Sequence, residues 1–264
     1  MPLWAYYVSP LLLALSMIAI IEALSLAALF LSRRYLLPHL RFHDGVNDAI
    51  SGTVQAIGVF YGITVGLIAV GVWNTNSNAG DLVSREASSI GTLYRDFGGY
   101  PSPVREELRG KLREYTVFVI EQAWPAQKEG RLLDSGTQIL DDLQARLFTF
   151  EPSTPGQVAL HSETLTAYNK LIDYRRLRID AVGNGLPGVM WVVIWIGAAI
   201  SIGVAYLYRI EDAKIHFMLV SLMAGFLALV LFMIVINDKP LVGYTSISSD
   251  PYKLILEKLI DVSR

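Results

Sequence analysis

The chain contains no cysteine among its 264 residues. This absence excludes disulfides, thiolate zinc sites, cysteine nucleophiles and thiolate-bound iron–sulfur clusters. Charge is also scarce, because charged residues make up 17% of the chain, against about 25% in an ordinary soluble domain. The formal net charge is −2, which gives no electrostatic reason to expect a nucleic acid partner. Hydrophobic residues make up 53% of the chain, which indicates that much of it lies in apolar surroundings.

Motifs of several common enzyme classes are also missing. The sequence contains no G-x-S-x-G, H-E-x-x-H or P-loop pattern, and its four histidines do not cluster. His39 and His43 have the i, i+4 spacing of a helical metal-binding pair, but Pro38 and the short loop argue against a site. We therefore expect no enzymatic activity, no cofactor and no bound metal.

Long apolar segments dominate the sequence instead. A membrane-spanning helix needs about 20 predominantly apolar residues, and four segments meet that length: 10–31, 50–73, 186–208 and 215–236. The first does not look like a cleaved signal peptide, because no Lys or Arg precedes it and no A-x-A pattern follows. No alternating strand pattern of any length is present. The sequence therefore predicts an all-α, four-span integral membrane protein, with two transmembrane hairpins and a helical extramembrane domain between spans two and three.

Polar stretches divide the chain into four predicted parts. These are a first hairpin at 1–73, a helical extramembrane domain at 74–183, a second hairpin at 184–237 and a C-terminal segment at 238–264. Helical periods punctuated by Gly and Pro predict helices at 81–97, 104–123, 135–150 and 157–182, and a short amphipathic helix at 250–262. The Trp124-Pro125 pair is expected to end the helix at 104–123.

The second span contains glycines four residues apart, at Gly58, Gly62 and Gly66. At 100° per residue these glycines share one stripe of the helix with Gln55 and Ala69. In lipid, small residues at this spacing let helix backbones approach closely. We interpret the stripe as a surface on which helices pack.

The opposite stripe of this helix carries Thr53, Ile57, Phe60, Thr64 and Leu67. If the glycines pack against neighbouring helices, the opposite stripe is free to line something else. In an oligomer it would form the wall of an axial pore with an apolar constriction. Periodicity alone favours the simpler interpretation, which is packing without a pore.

Glu22 is the one charged residue of the first span and lies near its middle. A charge at that depth costs about 2.5–3.5 kcal/mol on insertion scales, so such residues usually face a bundle interior or water. Glu22 is either a protonated group hydrogen-bonded to a neighbouring helix or a carboxylate that handles protons or cations. With Gln55 it would also suit the midplane polar site of a small transporter.

Basic residues gather just before the third span, at Arg175, Arg176 and Arg178. We predict an interfacial cluster that contacts lipid phosphates and pairs locally. The alternative is a ring of charges at a pore mouth that selects ions by sign.

Charge gives two opposing indications of membrane orientation. The hairpin loops carry Arg33, Arg34, Arg41, Arg209 and Lys214, which by the positive-inside rule would place the helical domain outside the cell. The basic residues before the third span and after the fourth point the other way.

Several short motifs follow one another along the chain in a recognisable order and spacing. They are Arg85-Glu86-Ala87, Leu93-Tyr94-Arg95-Asp96, Tyr115, Glu121, Trp124-Pro125, Arg175-Arg176-Leu177-Arg178, Leu186-Pro187 with Trp191, and Asp238-Lys239-Pro240-Leu241-Val242-Gly243. In this combination the chain resembles the bestrophin-like bacterial membrane proteins, a family described as a domain of unknown function, over roughly residues 50–259. Leu241 departs from the family pattern, which usually has Phe after the proline.

The resemblance implies an ion channel. Bestrophins are pentameric channels whose second transmembrane helix lines the pore and whose domain between spans two and three is cytosolic. By this resemblance we expect a homo-oligomer, a pentamer, that passes small ions across the bacterial inner membrane. Two alternatives stay open: a non-conducting membrane scaffold or sensor whose helical domain binds a partner, and a small proton-coupled transporter.

Overall fold

The computed structural model describes residues 3–40 and 45–261. These residues contain nine α-helices and no β-strand, which confirms the predicted all-α class. Arg41 and His43 lie outside the described residues, as does Val262 at the end of the predicted C-terminal helix. The predictions that involve them are therefore not tested.

The nine helices differ widely in length, and α2 is much the longest. In chain order they are α1 Pro10–Leu31, α2 Val46–Asp96, α3 Val104–Phe118, α4 Trp124–Lys128, α5 Ser135–Phe148, α6 Pro155–Gly183, α7 Gly188–Ala205, α8 Ala213–Asn237 and α9 Asp250–Ile255.

The chain divides into two compact units, and each is built from two separate stretches. The first unit is Met1–Thr75 with Gly185–Asp238, and the second is Asn76–Asn184 with Lys239–Arg264. Helix α2 contributes its first part to the first unit and its last part to the second.

The first unit contains the apolar stretches of four helices long enough to cross a bilayer, which confirms the predicted four spans. Helix α1 begins at Pro10, where a missing N–H costs nothing, and the Ser9 hydroxyl accepts a hydrogen bond from the Leu12 amide at 3.4 Å. Helix α8 begins after Asp212, whose carboxylate accepts from the Lys214 amide at 2.8 Å. Both caps satisfy backbone donors at the ends of helices.

In the core of the first unit, a large side chain on one helix packs against a glycine on another. The Tyr61 ring on α2 lies directly against Gly197 on α7, where a Cβ atom would collide with the ring. The Tyr61 hydroxyl donates to the Ile194 carbonyl oxygen at 2.9 Å, so its one polar group is satisfied in an apolar setting. A glycine therefore determines how closely α2 approaches α7.

The observed α2 is longer than predicted, because it continues through residues 74–80 without a break. That stretch contains Asn74-Thr75-Asn76-Ser77-Asn78, which ends the apolar period of the span. It contains no proline, so nothing removes a backbone donor or blocks the next helical turn. The change of polarity therefore ends the apolar segment but not the helix.

The predicted stop at Trp124-Pro125 was wrong. A wide π-helical turn at Val119–Ala123 follows α3, and the helix then continues as α4 through Pro125. A proline in a regular α-helix removes a hydrogen bond and clashes with the carbonyl four residues earlier. The wider i→i+5 turn before Pro125 relieves that clash.

The second unit packs α3, α5, α6 and the last part of α2 around a core of leucine and tyrosine side chains. The segment that contains α9 packs against the same core, because Tyr252 is fully buried with its ring centroid 5.4 Å from that of Trp124. The Trp124 indole N–H donates to the Ile247 carbonyl oxygen at 3.1 Å. The C-terminal segment is thus part of this unit's core.

Candidate functional site

Helix α2 turns one face of its membrane segment toward its own bundle. Tyr61, Val65 and Val72 are buried there and belong to the core of the first unit. At 100° per residue these three side chains lie within a narrow stripe. The other faces of the helix are therefore available to lipid, water or another copy.

The predicted pore stripe lies to one side of this buried face. Phe60 and Leu67 are 72% and 70% exposed, and Thr53 and Thr64 are also exposed. Both threonine hydroxyls donate to carbonyl oxygens of their own helix, at 2.9 Å and 2.8 Å. With those donors occupied, the stripe is mainly apolar. Ile57 is half-buried at its edge.

The glycine stripe lies on the other side of the buried face, and its three glycines have open space around them among the residues that the structure describes. A Cβ atom built on Gly58, Gly62 or Gly66 meets no atom within 4 Å. Ala69 differs from these glycines, because it is buried in the core of the first unit. Gln55, also assigned to this stripe, is exposed. Within residues 3–40 and 45–261, these three glycines therefore have no packing partner.

A third face of α2 was not identified from the sequence. Val59, Ile63 and Val70 are exposed, and by helical periodicity they point directly away from the buried face. We call these three residues the outer ridge. Their spacing of four and seven residues was a usable signal, but the glycine pattern beside them was more conspicuous.

Glu22 lies half-buried on α1 and faces α8. One of its carboxylate oxygens would lie 2.9 Å from a Cβ on Gly225, so this glycine makes room for the carboxylate. The other oxygen, Oε2, is buried and has no hydrogen-bond partner among the described residues. Gln55 instead donates to the Ser51 hydroxyl on its own helix, at 3.3 Å. The structure therefore does not join Glu22 and Gln55 into one polar site.

The predicted cluster of three arginines is not a single surface. Arg176 is exposed, and Arg175 is half-buried and donates to the Thr137 hydroxyl at 3.0 Å. Arg178 is only 1% exposed, so its assignment to an interfacial cluster was wrong. It lies two residues after Arg176 on α6, which is about 200° around the helix, so its side chain points away from that exposed position and into the second unit.

Arg178 forms a buried ion pair with Glu86 of α2, which is itself fully buried. Its Nε and Nη2 atoms donate to the two carboxylate oxygens at 2.5 Å and 3.2 Å. The Tyr115 hydroxyl donates to Glu86 Oε1 at 2.6 Å. Burial, with the carboxylate beside it, raises the pKa of Tyr115 well above its usual value, so the hydroxyl remains a neutral donor.

Aromatic rings enclose this pair. The Arg178 guanidinium lies 5.6 Å from the Trp124 ring centroid, and Tyr252 of α9 completes the surroundings. Burial, followed by the Glu86 charge, raises the pKa of Tyr252 well above its usual value. The cluster thus holds α2, α3, α6 and α9 of the second unit together. Glu86, Tyr115, Trp124 and Arg178 of the sequence motifs belong to this cluster, where they hold the fold together.

Asp238 is a buried carboxylate that connects separate elements of the first unit by hydrogen bonds. Its Oδ2 accepts a hydrogen bond from the buried Tyr6 hydroxyl, and its Oδ1 accepts from the Leu186 amide at 2.5 Å. These bonds tie the end of α8 to the segment before α1 and to the approach to α7. The Asp238-Lys239-Pro240 motif therefore contributes an anchor between elements of the first unit.

No group of three or more metal-ligating side chains occurs within residues 3–40 and 45–261.

Comparisons with known proteins agree with the architecture. The family model described as Bestrophin-like domain matches residues 19–252. The crystal structure of a mutant bacterial bestrophin homologue from Klebsiella pneumoniae superposes with a TM-score of 0.71, at 8% identity over 95% of this chain and 98% of that one. The crystal structure of a membrane protein with a single substitution gives a TM-score of 0.70, at the same identity and coverage. No curated protein matches the chain. At this identity the structural likeness shows the fold alone.

The buried ion pair provides a direct test of the second unit. Arg178→Leu leaves the Glu86 carboxylate buried without its counter-ion, and we expect the variant to lose about 3–5 kcal/mol of stability. Thermal and denaturant unfolding of the purified protein measure this loss. Arg176→Leu, at the exposed position two residues earlier, should change stability by less than about 0.5 kcal/mol. Adding Glu86→Gln to Arg178→Leu should restore part of the loss, and equal effects of both arginine substitutions would contradict this account.

Proposed function

We propose that this chain, which belongs to the Bestrophin-like domain family, is one subunit of an oligomeric membrane channel for small ions. The chain is an integral membrane protein with four candidate spans. In this proposal identical copies surround an axis, and α2 of each copy lines it.

The observation that carries the proposal is the uncovered glycine stripe of α2. Gly58, Gly62 and Gly66 present bare backbone that no other described part of the chain covers. Glycine costs about 1 kcal/mol in a helix relative to alanine, and close packing of helices in lipid is the usual compensation. A second copy of the chain would provide that packing. The interaction is heterologous if the glycines meet a different face of the neighbour, and such contacts generate a ring when the rotation between copies closes.

The order of faces around α2 suits a ring. The glycine stripe and the stripe with Phe60 and Leu67 lie on opposite flanks of the helix, and the protomer's own bundle covers the face between them. Bulky side chains on one flank could therefore pack against bare backbone on the flank of the next copy. The outer ridge, with Val59, Ile63 and Val70, would then face the axis.

Two linings are thus candidates for the pore wall. The first is the stripe predicted from the sequence, with Thr53, Ile57, Phe60, Thr64 and Leu67. The second is the outer ridge, which burial supports because it points directly away from the protomer's own bundle. Both are predominantly apolar, and either would form a constriction that gates by losing its water.

Glu22 has a secondary role in this proposal. Its carboxylate lies on α1 against Gly225 of α8 rather than on α2, and Oε2 has no partner among the described residues. We propose that it tunes the passage of cations or protons from behind the pore wall. A transporter site shared with Gln55 has less support, because no hydrogen bond joins the two residues.

A non-conducting scaffold or sensor is the second candidate function. In this alternative the helical domain between spans two and three binds a partner, and α2 lines no pore. In that case purified particles would contain too few copies of α2 to surround an axis.

We also propose that the second unit faces the cytosol of a bacterial cell, as the resemblance to bestrophins implies. The arginines of the hairpin loops oppose this orientation by the positive-inside rule. The topology therefore requires an experiment of its own.

Ion flux in liposomes tests the channel and distinguishes the two linings. We expect the reconstituted protein to pass ions, and truncation at the constriction to change the flux severalfold, because a shorter apolar wall wets more easily. Phe60→Ala alters flux if the sequence-predicted stripe lines the axis, and Ile63→Ala does so if the outer ridge lines it. Leu222→Ala, on an exposed face of α8, is the control and should leave flux unchanged. A protein that passes no ion, or is indifferent to both substitutions, would rule out the pore.

Substitution of the glycines tests assembly. Gly62→Ile meets no atom of its own chain at Cβ but would hold two helix backbones apart, so we expect the oligomer to dissociate. Gly203→Ile on α7 is the matched control, because its Cβ also meets no atom of the described residues within 4 Å and Gly203 lies outside α2. The mass of the detergent-solubilised particle measures the effect. A wild-type monomer would favour the scaffold, and unchanged mass in both variants would show that the stripe is not an interface.

Single cysteines test the orientation, because the natural chain has none. Glu151→Cys places a thiol on an exposed site of the second unit, and Lys214→Cys places one at the exposed start of α8, next to the loop that follows α7. If the second unit is cytosolic, a membrane-impermeant maleimide on intact cells labels the cysteine at 214 and not that at 151. The reverse pattern would refute the proposed orientation.

A further inference from the structure

A basic pocket lies in the first unit, where the loop after α1 meets the loop before α8. It has a volume of about 390 Å³. Its lining consists of Arg33, Leu37, Pro38, Leu40, Arg209, Ile210 and Glu211. We infer that this pocket binds the phosphate headgroup of an anionic phospholipid, independently of whether the protein conducts ions.

The guanidinium of Arg33 is held in place by neutral groups. Its Nη1 atom donates to the Ile210 carbonyl oxygen at 2.9 Å and to Nδ1 of His216 at 3.0 Å. Nη2 donates to the Glu211 carbonyl oxygen at 3.4 Å. His216 Nε2 then carries the proton and donates to the Ala205 carbonyl oxygen at 3.1 Å. Arg33 is therefore oriented by three neighbouring residues, and none of these three hydrogen bonds is to a carboxylate.

Arg209 brings a second positive charge to the same pocket. Asn47 fixes its backbone, because the Asn47 side chain donates to the Arg209 carbonyl oxygen at 3.1 Å and accepts from its amide at 3.0 Å. The Arg209 side chain is left exposed. Within residues 3–40 and 45–261, neither Arg33 nor Arg209 forms an ion pair with a carboxylate. Among the described lining residues, two arginines stand against the single carboxylate of Glu211, which leaves this part of the pocket cationic.

The rest of the wall is apolar and belongs to the ends of membrane spans. Leu37 and Pro38 lie within the candidate span region, which ends at His39, and Leu40 follows it directly. Leu36 beside them is 46% exposed. Exposed leucines beside arginines are unfavourable in water. They fit the boundary of a bilayer, where a lipid offers both an anionic phosphate and an adjoining glycerol and acyl region.

This combination distinguishes a lipid from a free anion. Two guanidinium groups can donate hydrogen bonds to the oxygens of a phosphate group. A small hydrated anion, however, would make no contact with the leucine and proline side chains of the pocket wall. A phospholipid satisfies both parts of the pocket at once. The pocket should therefore bind an anionic headgroup more tightly than a zwitterionic one, because the cationic group of a zwitterion would be repelled by the arginines.

Native mass spectrometry of the full-length protein in detergent tests the inference with phosphatidylglycerol and phosphatidylcholine as probes. We expect the wild type to retain phosphatidylglycerol in preference to phosphatidylcholine, and Arg209→Gln to weaken that retention about fivefold, as expected for the loss of one basic contact near a membrane surface. Lys214→Gln removes an equal charge close by in sequence from a residue that does not line the pocket, and it should retain phosphatidylglycerol as the wild type does. Equal thermal stability of the two variants verifies that both are folded.

Three results would overturn the inference. Equal weakening by Arg209→Gln and Lys214→Gln would mean that the lipid senses only the general charge of the loops. No weakening in Arg209→Gln would mean that phosphatidylglycerol binds elsewhere. Displacement of phosphatidylglycerol by inorganic phosphate at equal concentration would identify the free anion as the ligand.

Discussion

The requirement that every backbone polar group be hydrogen-bonded inside a bilayer governs this structure. It explains why the apolar stretches are helices, and why polar side chains within them bond to carbonyls. The hydroxyls of Thr53 and Thr64 donate to their own helix, and the Tyr61 hydroxyl donates across to α7. Once those bonds are made, helices in lipid are held together by close packing more than by hydrophobic driving force. The Tyr61–Gly197 contact shows what such packing requires, because a ring on one helix occupies the space left by a missing side chain on another.

The second unit follows the rules of a soluble helical domain, with one exception at its centre. The Glu86–Arg178 pair is fully buried, and such pairs often contribute little net stability over apolar residues of the same size. Its value is geometric, because Glu86, Tyr115, Arg178 and Tyr252 come from four elements that must meet for the charges to be satisfied. Wrong packing would leave a buried charge unpaired. Four residues of the sequence motifs, Glu86, Tyr115, Trp124 and Arg178, lie in this cluster, and a fifth, Asp238, anchors the first unit, so for these five the structure shows a role in the fold.

The features that bear on function are groups that have no interaction partner within the described part of the protomer. Three bare glycines on α2, an apolar ridge beside them and an unpaired oxygen on Glu22 have no counterpart within the described residues. The arginines around the lipid pocket likewise lack carboxylate partners there. A stable chain tolerates such groups where lipid, water or another copy completes them. The proposed channel and the proposed lipid site both follow from this pattern, but they rest on different residues and can fail separately.

Apolar length and helical period are local properties, so the sequence alone determined the four spans, the all-α class and the candidate faces of α2. Two predictions from local patterns were wrong. The polar run at 74–80 was expected to interrupt a helix, but it contains no proline and the chain stays helical. Pro125 was expected to end a helix, but a π-turn before it lets the helix continue. The tertiary structure alone decided which arginine is buried, because Arg175, Arg176 and Arg178 are alike in sequence and differ only in the direction they face. It also decided that α2 buries Tyr61 and Val65 and leaves its glycines uncovered. Burial depends on neighbours that are distant along the chain, and periodicity carries no information about them.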